Sequence, residues 1–323
     1  MNARRRARGF GLVEMMVALA LGLLIVGGAI AIFLGSRQVS RSTDDLSRIQ
    51  EGGRFAFELM SRELRESGST PCGASKGEYT NAPDAPGWVK VSSIIPAPET
   101  KWWALWNPVW GYGGSTEFTG MPFGAAIGAR VPGTDAIETR SSMGGGESVA
   151  EAAAGGDLIL KATAKADDLK AGDIAVACDV DNGHVFEVTD ASGLNIKMGS
   201  LGQGSMKPGS VVARLHATAW YVGQTGRAAT GGRALFRATP TGTQEVIDGV
   251  QDMQVAYMVA ESGQYVDASL VPATSWGQIS AVRITLTLQG PQANVATNAA
   301  GSSVDDRITR TFTHTVALRN LIP

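Results

Sequence analysis

Histidine and cysteine are scarce in this 323-residue chain, with three copies of the first and two of the second. His184, His216 and His314 stand far apart and form no H-E-x-x-H or other ligand spacing, which excludes the common zinc-site patterns. No G-x-x-x-x-G-K-[ST] phosphate loop is present. Gly146-Glu147-Ser148-Val149-Ala150 comes nearest to a nucleophile elbow but lacks the closing glycine. We therefore expect no enzyme, no cofactor and no resident metal. Charged residues make up only 18%, and formal net charge is −2; loss of Arg4, Arg5, Arg6 and Arg8 would take it to −6. That balance argues against a nucleic-acid-binding surface. Proline is missing before Pro71, so any kink in the first part of the chain must come from Gly22, Gly27 or Gly28.

The two cysteines are Cys72 and Cys178. If the body is exported, an even count favours one disulfide between them. Such a bridge would close a long loop, worth roughly 4–5 kcal/mol in the chain-entropy model. The alternative is two buried free thiols. Hydrophobic content of 44%, mean hydropathy of +0.02 and 41 glycines fit a loop-rich, β-rich globular body with one membrane segment.

That membrane segment follows the arginine cluster. Met15 to Gly35 carries no charge, and as a helix it would reach about 31 Å at ~1.5 Å per residue, enough to cross the hydrocarbon of a bilayer. Glu14 lies at its entry. A carboxylate inside a membrane costs on the order of 2.5–3.5 kcal/mol, so Glu14 is a functional candidate. The upstream arginines should hold the N-terminus in the cytoplasm and send the remainder outward.

The helical pattern continues from Ser36 to Ser67. Leu46, Ile49, Gly53, Ala56, Met60 and Leu64 make one apolar stripe at spacings of three and four, on which we expect a sheet to lie. Arg41, Arg48, Arg54, Arg62 and Arg65 alternate with Asp44, Asp45, Glu51, Glu58 and Glu63, expected elsewhere on the helix surface. Ser67-Gly68-Ser69-Thr70-Pro71 ends the helix.

Residues 72–133 read as irregular, broken by seven prolines from Pro83 to Pro132. Within them Trp102, Trp103, Trp106 and Trp110 fall between Lys101 and Tyr112. Tryptophan needs its area buried and its indole N–H satisfied. Three readings stay open: a satellite core under a long loop, a contact for another subunit, or a sugar-stacking platform. Strand signals follow at Asp135–Arg140, Leu158–Thr163, Ile174–Cys178, His184–Thr189, Leu194–Met198, Val211–Val222, Ala234–Ala238, Val246–Val259, Ala281–Leu288 and Ile308–Leu318. The Gly/Ala/Ser-rich stretch Gly144–Gly156 reads as a flexible loop. Asp179-Val180-Asp181-Asn182-Gly183 invites a calcium reading, but glycine comes one place too early for an EF-hand, and Asn-Gly between strands is more simply a hairpin turn.

The basic leader, Gly9, Phe10, Leu12, Glu14 and the uninterrupted apolar helix together resemble the type III signal of type IV pilins and secretion pseudopilins. That resemblance implies cleavage after Gly9 by a prepilin peptidase, methylation of the new N-terminal Phe10, and pairing of Glu14 with the exposed amine of a neighbour during assembly. Further along, Glu51-Gly52-Gly53-Arg54-Phe55-Ala56, Pro132-Gly133-Thr134-Asp135, Gly172-Asp173-Ile174, Ala234-Leu235-Phe236-Arg237, Val246-Ile247-Asp248-Gly249-Val250-Gln251-Asp252-Met253-Gln254-Val255 and Val316-Ala317-Leu318-Arg319-Asn320 resemble the PilW family of type IV pilus minor pilins. The resemblance implies an α+β, pilin-like fold: a long N-terminal helix packed on a mostly antiparallel, β-rich head. Its expected parts are a cleaved leader (1–9), a transmembrane helix (10–35), an amphipathic spine (36–67) and a periplasmic or extracellular head (68–323).

The implied role is a low-abundance subunit in initiation of pilus assembly and at the fibre tip, supporting twitching motility and adhesion. Expected partners are the prepilin peptidase, other minor pilins, the major pilin, the inner-membrane assembly platform and a tip adhesin. The chain would sit in the inner membrane before assembly and on the cell surface after it, in a Gram-negative bacterium. A type II secretion pseudopilin of the J type is the first alternative, and a membrane-anchored adhesin or hydrolase the second.

Overall fold

The computed structural model describes residues 11–71, 75–76, 89–118, 120–142, 146–152, 158–160, 169–180, 182–192, 194–198, 206–228, 231–260, 262–293 and 307–321. One helix, α1 (Leu12–Glu66), carries the apolar segment and the amphipathic segment without interruption. It is long and apolar enough near its start to cross a membrane. Its first thirty or so residues are exposed, and the head begins to cover it near Asp45. The buried positions Ile49, Gly53, Ala56, Met60 and Leu64 are the expected stripe, joined by Asp45 and Ser61. At Gly53 an added Cβ would lie 3.2 Å from the Phe312 ring, so glycine there lets the helix seat closely on the sheet.

The head holds sixteen strands among the described residues: β1 (Ser75–Lys76), β2 (Val89–Ser93), β3 (Val109–Tyr112), β4 (Ala136–Ser142), β5 (Glu147–Ala152), β6 (Leu158–Leu160), β7 (Ile174–Cys178), β8 (Asn182–Ser192), β9 (Asn195–Met198), β10 (Val211–Gln224), β11 (Arg233–Thr239), β12 (Gly242–Asp248), β13 (Val250–Val259), β14 (Tyr265–Asp267), β15 (Ile279–Gln289) and β16 (Thr309–Ala317). The first twelve form one large sheet, with β3, β4 and β7 off its main path; the last four form a second sheet in the order β14-β13-β15-β16. Among the described strands, only β1–β2 and β2–β8 pair in parallel. The fold is therefore the expected α+β arrangement of a long helix on a mostly antiparallel head.

The main core lies between α1 and both sheets. It joins the helix stripe to Trp220, Val222 and Leu235 of the large sheet and to Val255, Tyr257, Ile284, Leu286 and Val316 of the small one. On the other face of β10 and β11, Tyr221, Ala219 and Phe236 pack under Phe118 and Met121. β10 is thus covered on both sides, which explains its nearly continuous apolar run.

Several local expectations need correction. Glu147–Ala152 is a strand, paired with β10 and β6, where a flexible loop was expected over Gly144–Gly156. Residues 72–133 contain the short strands β1, β2 and β3. Val246–Val259 is two strands. The break is Gly249, whose φ of +79° is open to glycine at little cost; a Cβ there would lie 2.6 Å from the Gln289 carbonyl oxygen. The Asp179–Gly183 segment does join two strands as a hairpin, but Asn182 and Gly183 already belong to β8, and Asp179 donates its N–H to the Asn182 carbonyl at 2.8 Å.

Candidate functional site

The chemistry-bearing residues gather along α1 and at its far end. Glu14 sits in the first turn, and its carboxylate accepts the Gly11 N–H at 3.1 Å. An acid at a helix N-terminus is favourable, since it meets unsatisfied amides and the positive end of the helix dipole. Around it Leu12, Val13, Met15 and Met16 expose between 63% and 77% of their surface. Glu14 is therefore a single carboxylate on an uncovered apolar helix. Gly9 and Phe10 lie outside the described residues.

Two further acids, expected on the helix surface, instead face the head, Asp45 buried and Glu63 partly buried. Asp45 is fully buried; its Oδ2 accepts the Gln292 N–H at 3.2 Å, while Oδ1 has no partner. Burial pushes its carboxyl above the usual range, opposed by that hydrogen bond and by Arg48 and Arg307. Glu63, three residues before the end of α1 and on the same side as Asp45, is held by three donors. Thr218 Oγ1 approaches Oε2 at 2.8 Å, the Trp220 indole N–H reaches the same oxygen at 2.6 Å, and Arg237 Nε reaches Oε1 at 2.7 Å. Asp45 could have been found in the sequence, because it stands four residues before Ile49, squarely on the stripe.

At the end of α1 the chain meets the tryptophan segment. Ser67 Oγ donates to the Pro108 carbonyl, and Gly68 N–H donates to the Arg140 carbonyl at 2.8 Å. Arg140, on β4, is buried and organises this region. Its guanidinium donates to the Asn107 carbonyl at 2.8 Å, to the Trp102 carbonyl and to Glu138 at 2.7 Å. Glu138 is itself buried, and desolvation raises its carboxyl above the usual range against the pull of Arg140. The four tryptophans then part company. Trp106 is 0% exposed in a core with Val91, Ile95 and Val185, and Trp103 packs on its edge. Trp102 packs against the core around Phe118, and Trp110 against the main core with its ring 5.0 Å from that of Trp276. The Trp106 indole N–H has no partner, against the expectation that each would be satisfied.

Arg130 was not singled out by its sequence context, yet it is fully buried. Its guanidinium donates to the carbonyls of Thr116 at 2.7 Å and Gly113 at 2.9 Å and lies over the rings of Phe118 and Phe123. Desolvation lowers it to about 10. Nearby, the Tyr257 hydroxyl is buried without a partner beside Gly111.

Cys178 is buried at the end of β7; Cys72 lies outside the described residues. The histidines stay apart: His184 meets Ser92 Oγ at 3.2 Å, the His314 ring lies 5.4 Å from that of Phe57 and tilted to it, and burial lowers the imidazoles of His184 and His216. No group of three or more His, Cys, Asp or Glu side chains converges among the described residues.

Comparison with known families gives two matches. The model described as prokaryotic N-terminal methylation motif matches residues 4–30. The model described as type IV pilus-assembly protein W matches residues 221–320. The first covers the arginine cluster, Gly9, Phe10, Glu14 and the start of α1. The second begins in the last part of β10 and runs through the small sheet to Asn320, so it covers β11 to β16 but neither Thr218 and Trp220 at Glu63 nor the tryptophan segment. No curated protein and no solved structure matches the chain. The two matches support a type IV pilin-like minor pilus protein. The signal implies processing by prepilin peptidase and assembly with pilus components, and with the apolar helix it fits an inner-membrane-anchored pilin. Pilin-family domains are structural rather than enzymatic.

Proposed function

We propose that this chain is a minor pilin that joins other minor pilins to initiate a type IV pilus and stays at its tip, so supporting twitching motility and adhesion. The observation that carries this reading is the uncovered half of α1. A helix that is apolar all round and continuous with a folded head needs lipid or other helices about it. Its single acid, Glu14, then needs a cation. Cleavage after Gly9 would supply one, the amine of Phe10 on a neighbour. Removing one partner of such a buried pair typically costs 3–5 kcal/mol.

In this reading residues 1–9 are the leader, 10–35 the transmembrane helix, 36–67 the spine and 68–323 a periplasmic head that reaches the cell surface on assembly. Cys72 and Cys178 form a disulfide in that oxidising compartment. Trp102, Trp103 and Trp110, which keep part of their surface exposed, offer the contact for a neighbouring subunit, with Trp106 as the buried root of the segment.

N-terminal sequencing of membrane-extracted protein tests the processing step and should begin at methylated Phe10. Glu14→Ala should be cleaved normally and incorporate poorly into fibres. A bulky residue at Gly9 should block cleavage. A deletion strain that keeps its pili and twitching but loses type II secretion would replace this reading with a pseudopilin.

A further inference from the structure

β10 has β4 and β5 along one edge and β7 and β11 along the other, and on that second edge its pairing is interrupted. The β7 register ends at Arg214 with Ala175, and the β11 register begins at Ala219 with Ala238. Leu215, His216, Ala217 and Thr218 therefore have no strand beside them on that edge among the described residues. Each flank has its own cause. Carried on two places, the β11 register sets Pro240 opposite Ala217, and proline has no N–H to donate. On the β7 side, Gly172 N–H donates to Val188 of β8, and the Asp173 carbonyl accepts from Val188. Successive residues of a strand turn their backbone groups to opposite edges. The Val222 carbonyl accepts from Val131, ahead of β4, and Thr225 N–H donates to Gly232, ahead of β11. Ala217 thus turns its N–H and C=O into the gap.

A cavity of about 220 Å³ occupies this gap, lined by Arg214, His216 and Thr218 of β10 and by Asp173, Arg237 and Thr241 around them. Its acceptors are spent and its donors are not. Asp173 Oδ2 accepts from Arg214 Nη2 at 2.6 Å and from the Lys170 N–H at 2.7 Å. Glu63, at the end of α1, already holds three donors. Arg214 Nε, by contrast, is buried without a partner, and Glu63 takes only Nε of Arg237. His216 is faced by Arg214 on its own strand, Arg237 on β11, Glu63 and Glu66 on α1, and Asp173 across the cavity. Burial first, then the two arginines, hold its imidazole below the usual value. Two guanidiniums balance two carboxylates here, which disfavours a dianion; one added carboxylate can be matched by a proton on His216.

We propose that the gap in the β10 edge receives one acidic residue of a partner polypeptide, in extended conformation. Its carboxylate takes the unspent N–H groups of Arg214 and Arg237, in the charge-assisted bonding that guanidinium favours. Its backbone takes the Ala217 N–H and C=O that β11 leaves without a strand, a one-residue form of strand addition. A polypeptide suits the gap better than a free anion because it brings an amide N–H and a carbonyl together with the carboxylate. The cavity is smaller than the ~300–1,000 Å³ of sites for drug-sized ligands, so one residue is what it holds. The inference stands apart from the reading of α1 as an anchor, since every group in it belongs to the head or to the last turn of the helix.

The test uses the full chain in detergent micelles with isotope-labelled histidine. The chain has three histidines, so His184→Gln and His314→Gln assign the side-chain signals. A blocked alanine-glutamate-alanine tripeptide is titrated in, and the same peptide with glutamine serves as its neutral match. The acidic peptide is expected to move the His216 signal saturably and to raise its pKa, leaving His184 and His314 unmoved. Arg214→Gln should weaken the response about tenfold. Thr241→Glu, which supplies a tethered carboxylate from an exposed turn, should abolish it. Near-ultraviolet circular dichroism checks the fold of both variants, and if Arg214→Gln departs from the wild type, Thr241→Glu decides. An unmoved His216, or an equal response to the glutamine peptide, overturns the proposal. So does tighter binding of glucuronate or inorganic phosphate than of the acidic peptide, which would assign the cavity to an acidic sugar or a free anion.

Discussion

The carboxylate of Glu63 on α1 and the indole N–H of Trp220 on β10 meet at 2.6 Å inside the seam between helix and sheet. Glu63→Ala should leave Trp220, Thr218 and Arg237 without their acceptor. A buried pair broken on one side costs about 3–5 kcal/mol; with Arg237 partly exposed, about 3 kcal/mol is expected in urea unfolding of the head. Glu63→Gln keeps an acceptor for the indole and should lose less.

Asp45 gives a pH-dependent outcome. Its folded pKa is raised by burial, so the folded state holds this proton to higher pH than the unfolded chain does. Stability from this group falls as pH rises from the unfolded value of about 3.9 through the folded one, and the cost persists at neutral pH. Asp45→Asn retains an acceptor for Gln292. The variant should match the wild type near pH 3 and exceed it by about 1 kcal/mol at pH 7. Unfolding midpoints across that range check the sign.

At Gly111 an added Cβ would stand 2.1 Å from the Tyr257 hydroxyl oxygen and 2.4 Å from Cζ. Gly111→Ala should destabilise the head by about 1–3 kcal/mol through overpacking. Tyr257→Phe removes a buried hydroxyl that has no partner, and calorimetry should find it no less stable than the wild type.

Arg140→Met should strand Glu138 in the core and release the carbonyls of Trp102 and Asn107. A loss of about 3–5 kcal/mol is expected, accompanied by a change in near-ultraviolet circular dichroism from the loosened tryptophans. The double variant Arg140→Met/Glu138→Leu should recover part of that loss.

The helix, its stripe and the long strands of the C-terminal half were legible because periodicity reports which side of an element is buried. β15 shows this best, with Val282, Ile284, Leu286 and Leu288 facing inward. Periodicity is silent about charge placement. Asp45 stands on the stripe and its covering could have been read there, but Glu63 is one of many acids and bases beside it, and only the sheet opposite decides that it is held. Arg130 and Arg140 were hidden for the same reason, since their partners are mostly backbone carbonyls, which leave no mark in the sequence. Gly249 could have been suspected as a break, but the apolar residues on either side continue the alternation of a single strand. The anchor signal, by contrast, is local, with Gly9, Phe10 and Glu14 on one short segment, and no fold is needed to read it.

The head is thus fastened to α1 by a polar joint at Asp45 and another at Glu63, eighteen residues apart along the helix, with the apolar stripe and the Phe57–His314 ring contact between them. Two separated joints resist torsion in a way that a greasy stripe alone cannot. A helix turned about its own axis would have to break both together, so rotation imposed on the apolar half of α1 reaches the head as rotation rather than as slip.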